Sequence, residues 1–169
     1  MANNLLEEIK QRVEELASKI NAPSNLLPGF GQEIWDAHPY VEVDSLGLMY
    51  YTISERGQER ERRITKDQDE ILYWIFASIT FSMSVSYELN HRMEGKDARR
   101  MMFNQQEELL GKISQSWKQR EHAAHQKILG SYPFDDLAGL RATFSGQLRH
   151  QGFSEPDIEK QINEKYPES

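Results

Sequence analysis

Cysteine is absent from the chain. Its absence excludes disulfides, a thiolate nucleophile and any zinc–thiolate centre. A long apolar run is missing too. The longest uncharged stretch, Ile71 to Tyr87, is short and rich in serine and threonine. It is a poor membrane span and reads instead as the buried centre of a fold. The opening residues, MANNLLEEIK, are acidic and hold no apolar segment of the secretory kind. Together with the missing cysteine, this points to the cytoplasm. Positive charge is in short supply. Twenty Lys and Arg face 27 Asp and Glu, for a net charge of −7 in 169 residues. Affinity for nucleic acid comes mainly from neutralised phosphates, so neither nucleic acid nor a membrane is the expected partner.

The acidity is unevenly placed. Residues 1–54 hold 8 acids and 3 bases, or −5; residues 55–129 hold 12 and 13, or +1; residues 130–169 hold 7 and 4, or −3. Acidic ends around a balanced middle suit a basic protein partner.

Periodicity places the elements. Asn4-Leu5-Leu6-Glu7 has capping-box spacing, and Leu5, Ile9, Val13, Leu16 and Ile20 then share one helical face. Pro23 to Gln32 reads as a loop. Tyr40 to Asp44 alternates as a strand, with Val41 and Val43 on one side and Glu42 and Asp44 on the other. Leu48 to Ser54 is rich in β-formers, and Gln58 to Thr65 reads as a charged edge strand. Glu55-Arg56-Gly57 is a turn between them. From Ile71 to Met93 no Gly or Pro intervenes; Ile79 to Leu89 alternates, yet ILYWIFA is apolar all round, so this segment is expected to be a central helix. Further helices are expected after Asp97, from about Ser114, from about Asp136 to His150, and from Pro156 to Lys165, with Ser154 as a cap. The expected fold is a single α+β domain over residues 1–169, mostly helical, with a small antiparallel sheet within residues 39–65.

The segment YELNHRMEGKDARR, residues 87–100, concentrates the candidate chemistry. Glu88 and His91 form an E-x-x-H pair, the spacing that di-iron bundles use twice. Here a second copy is missing. EHAAH, residues 121–125, lacks the glutamate directly after the first histidine that a zinc protease helix carries. No metal or cofactor is expected. Glu88, His91 and Asp97 are the candidates for acid–base work in a small hydrolase. No nucleophile or phosphate loop accompanies them, so a charged network joining two helices is the better reading, with Glu88 and Arg92 four apart on one helix. A helical adaptor for some other protein partner is a third possibility.

Several motifs then fall in a fixed order. SERGQERERRITKDQDEILYWIF carries E-R-G and then D-E-x-L-Y-W; YELNHRMEGKDARRMMFNQQEELLGKISQSW continues with Y-E-L, H-R, D-x-R-R and L-L-G; YPFDD follows at Tyr132. This order resembles the immunity protein 63 family of bacterial polymorphic toxin systems, most clearly over residues 34–136. The resemblance implies a non-catalytic cytoplasmic protein that binds a cognate toxin domain and blocks it, as in contact-dependent growth inhibition. On that view Glu55, Arg56, Gly57, Asp69, Glu70, Trp74, Glu88, Arg92, Asp97, Arg99 and Arg100 form a structural framework. The toxin would be basic, with a nuclease as one possibility. Its binding residues are expected among Glu33, Trp35, Asp36, Glu42 and Asp44, an acidic group around one aromatic anchor.

Overall fold

The computed structural model describes residues 2–167. Helical apolar spacing gives α1 (Ala2–Lys19), which buries Ile9, Val13 and Leu16. The helix starts earlier than the capping box implied. Asn4 lies inside the first turn, and its side-chain amide donates to Glu8 at 2.6 Å instead of capping. A short 3₁₀ turn, Ser24–Leu26, follows.

The expected α+β class holds, with the sheet in the N-terminal third. Its strands are β1 (Gly29–Phe30), β2 (Pro39–Val43), β3 (Met49–Glu55) and β4 (Gln58–Thr65), in that spatial order. The pairs β2–β3 and β3–β4 are antiparallel. The structure adds β1, parallel to β2, from a segment read as loop. Two residues are too few to show alternation, so the sequence holds no sign of it. The sheet is therefore mixed. A bulge between Ile53 and Ser54 takes up one residue of β4.

Beyond the sheet lie α2 (Gln68–His91), α3 (Ala98–Ile113), α4 (Gln115–Ser131), α5 (Ala138–His150) and α6 (Glu155–Lys165). The alternating stretch is helical. Phe76, Thr80, Ser84 and Glu88, four apart, make its buried stripe. Thr80 satisfies its hydroxyl on the Phe76 carbonyl at 2.6 Å. Ser154 caps α6, accepting from the Asp157 N–H.

Two compact units result. The first runs through Met83 and adds Gln106–Glu121. Its core joins Ile9, Val13 and Leu16 to Val41, Met49 and Tyr51 of the sheet, to Ile71, Ile75 and Phe76 of α2, and to Leu110 and Trp117. Burying each large apolar side chain contributes about 1.5–3 kcal/mol. The second unit holds Ser84–Gln105 and the residues from His122 onward. In it Phe103 stacks on buried His125 at 3.9 Å, and Leu148 and Ile158 are buried in α5 and α6.

Candidate functional site

The core residues of the sheet, Val41, Met49 and Tyr51, alternate onto one face. The other face carries a different set. Register pairs Tyr40 with Thr52 and Thr52 with Arg62; the next row pairs Glu42 with Tyr50 and Tyr50 with Ile64. None of these six belongs to the core cluster. Arg62 lies over the Tyr50 ring, 4.6 Å from its centroid, and Ile64 is 53% exposed. Asp44 continues the parity of Glu42. It accepts from the Tyr50 hydroxyl and from the N–H groups of Leu46 and Leu48, each at 2.9 Å. Partial burial opposes the charge on Asp44, but these donors hold its carboxyl below the usual range.

The segment before β2 folds onto the same face. A Cβ on Gly29 would run into the Gln32 carbonyl and meet Ile34 at 2.9 Å and Tyr40 at 3.2 Å, so the Gln32 backbone leaves room only for glycine there, with Ile34 and Tyr40 alongside. Trp35 stacks on His38 with centroids 4.4 Å apart, and His38 is fixed to the Leu27 carbonyl at 2.7 Å. Ile34 and Trp35 remain 49% and 50% exposed. Trp35 is therefore not a core residue. Of the five acidic-patch residues, Trp35, Glu42 and Asp44 share this face. Asp36 serves the backbone instead, its carboxylate accepting the Arg56 N–H at 2.6 Å at the β3–β4 turn. Glu33 is exposed in the same loop. The sequence alone does not single out Tyr40, Tyr50, Thr52, Arg62, Ile34 and Ile64. Strand parity is the signal that could find them, but it needs the register and the bulge.

The framework residues divide into local groups. Arg56 and Gly57 both have positive φ, +53° and +72°, which makes the E-R-G element a two-residue hairpin turn closed by the Glu55–Gln58 pair. Asp69 accepts the Trp117 indole N–H at 3.1 Å, and Glu70 grips Arg120 at 2.5 and 2.8 Å. Arg120 covers the Tyr73 ring at 3.8 Å, while Tyr73 donates to Glu121 at 2.7 Å. Desolvation, then the bond to Glu121, push the Tyr73 phenol far up.

In the second unit Glu88 pairs with Arg92 through two 3.0 Å bonds. Asp97 pairs with Arg99 at 2.6 Å rather than with Arg100, and caps α3 by accepting the Arg99 N–H at 3.0 Å. Arg100 reaches Asp136 at 2.8 Å, and Asp136 also accepts the Asp97 N–H at 2.9 Å. Arg99 donates onward to the carbonyls of Tyr132 and Pro133, both at 2.9 Å.

The acid–base candidates have other partners. Glu88 is 4% exposed and engaged by Arg92, while His91 is exposed, stacked on Tyr87 and bonded to the Tyr87 carbonyl. Among the described residues, no group of three or more His, Asp or Glu side chains is placed to hold a metal ion. No helix among them is long and apolar enough to cross a membrane. A cleft of about 280 Å³ opens on the core side of the sheet beside Tyr51, Trp74 and Phe81. Its charges already serve each other: Arg63 pairs with Glu61 at 2.5 Å and lies over Trp74.

No curated protein and no solved structure matches the chain. Residues 45–127 match the model of a family described as immunity protein 63. The match spans β3, β4, the clamp that the Asp69–Trp117 and Glu70–Arg120 bonds make between α2 and α4, and the start of the second-unit network, and it leaves out Trp35, Tyr40, Glu42 and Asp44. Immunity proteins neutralise a toxin protein and are typically non-catalytic. Over that region the motif order and the family model agree, and residues 45–127 are those that match the immunity protein 63 family.

Proposed function

We propose that the chain binds the toxin domain encoded beside its gene, in the cytoplasm of the producing cell, and blocks it directly through the open face of the sheet. The observation that carries this reading is the half-exposure of Trp35 and Ile34 in the segment before β2, with Ile34 next to Tyr40 on the sheet face that also carries Tyr50 and Ile64. Aromatic residues with a polar rim are the composition of a protein-binding centre. Glu33, Glu42 and Asp44 surround it, and residues 1–54 carry −5, so a basic toxin fits. A nuclease, with its basic substrate groove, is the first class to try.

Binding kinetics against the neighbouring toxin domain, at two salt concentrations, test this. Trp35→Ala should weaken binding by about 2 kcal/mol, or roughly thirtyfold, mainly through faster dissociation. Glu33→Lys and Glu42→Lys should slow association, more so at low salt. Asp36 is a poor probe, because its carboxylate holds the hairpin turn. Affinity indifferent to all three substitutions would move the interface off this face.

A further inference from the structure

In the middle of this sheet face, beneath its exposed side chains, lies a buried hydroxyl with no hydrogen-bond partner. Thr52 is 1% exposed, and its Oγ1 makes no hydrogen bond. Its neighbours across the strands are Tyr40 and Arg62. An unpaired buried hydroxyl destabilises a fold, and valine would fill the same shape without it. Such a group calls for a use outside the folded chain.

Arg62 marks what that use is. Its guanidinium occupies the Tyr50 ring face and pairs with Glu59 at 3.2 Å, with 43% of the side chain exposed. Exposed contacts of both kinds are weak, so Arg62 is displaced at little cost. At the hydroxyl end of the ring, Asp44 accepts from Tyr50, and Glu42 is the β2 neighbour of Tyr50. The space over Tyr50 is thus a cation seat backed by two carboxylates, filled in the free protein by the chain's own arginine.

We propose that a lysine or arginine of the toxin takes the place of Arg62 over Tyr50 and donates a hydrogen bond to Thr52 Oγ1. The inference rests on the open face being the toxin-binding face. Thr52 then determines specificity. A partner without the cation leaves the hydroxyl unpaired and gains less from binding.

Thr52→Val separates this role from a structural one. The variant should melt at the same temperature as the wild type or higher, yet bind the neighbouring toxin domain at least about tenfold more weakly; Thr52→Ser should bind as the wild type does. Trp35→Ala is measured alongside. Wild-type binding by Thr52→Val, with Trp35→Ala weakened, overturns the inference and leaves the face standing. If neither variant is weakened, the face itself is wrong. A lowered melting temperature in Thr52→Val, or a binding loss that serine does not repair, marks a packing role and overturns the inference too.

Discussion

The indole N–H of Trp117 donates to Asp69 across 3.1 Å, joining α4 to the first turn of α2. Trp117 is 4% exposed and stacks on Phe76 with centroids 6.0 Å apart. Asp69→Ala strands a buried donor, at a cost of about 1–3 kcal/mol. Thermal unfolding should fall by several degrees, and Asp69→Asn, which keeps an acceptor, should recover most of it. An unchanged melting curve for the alanine variant would show that water satisfies the indole.

Glu88 and Arg92 are unequal partners. The Glu88 side chain is 6% exposed and that of Arg92 63%. The Arg92 hydrogen bonds hold the Glu88 carboxyl below its ordinary range. Arg92→Ala leaves a buried acid without its cation and should lower the melting temperature. Adding Glu88→Gln should return part of the loss, a coupling that a double-mutant cycle measures directly. Strictly additive effects would show that the two side chains do not depend on each other.

Asp97 gives the second unit a pH dependence. Burial raises its pKa, but the Arg99 side chain and the N–H groups of Asp135 and Arg99 outweigh burial and bring it down to about 2. A carboxyl depressed in the folded state stabilises above its unfolded pKa of about 4, and that contribution disappears as pH falls through about 2. The difference is on the order of 2 kcal/mol. Asp97→Asn should flatten the stability curve between those values, as read by denaturant midpoints at stepped pH. Parallel curves for variant and wild type would remove Asp97 as the source.

The hairpin turn leaves room for improvement. Arg56 takes a φ of +53° beside Gly57 at +72°, a conformation that asparagine tolerates better than arginine. The Asp36 carboxylate bonds only the backbone N–H there, so the side chain is replaceable. Arg56→Asn should raise stability by about 0.5 kcal/mol or more. A higher urea midpoint with an unchanged slope would verify it; a lower midpoint would mean that the arginine side chain holds something else.

Much of this was legible in the chain itself. Strand parity put Val41 and Glu42 on opposite faces, and the edge strand was read from its charges to the residue. In the central helix an alternating pattern competes with an unbroken run free of Gly and Pro, and the latter prevails. Other features depend on distance in sequence. The clamp pairs residues 48 and 50 positions apart, and Asp97 meets Asp135 and Asp136 only through the fold. The open face was half visible: its acids and Trp35 stood out, but Tyr40, Thr52 and Arg62 become one row only once the register is known.

The proposed action is neutralisation by binding, without catalysis, through this face. The most direct measurement adds increasing amounts of the purified chain to a fixed amount of the neighbouring toxin domain and follows the toxin's own activity. Inhibition should rise in proportion to the chain added, be complete at equal amounts and be unaffected by longer incubation, with Trp35→Ala requiring far more. Inactivation that continues with time at small amounts of chain would show catalysis instead, and full potency in Trp35→Ala would contradict the assigned face.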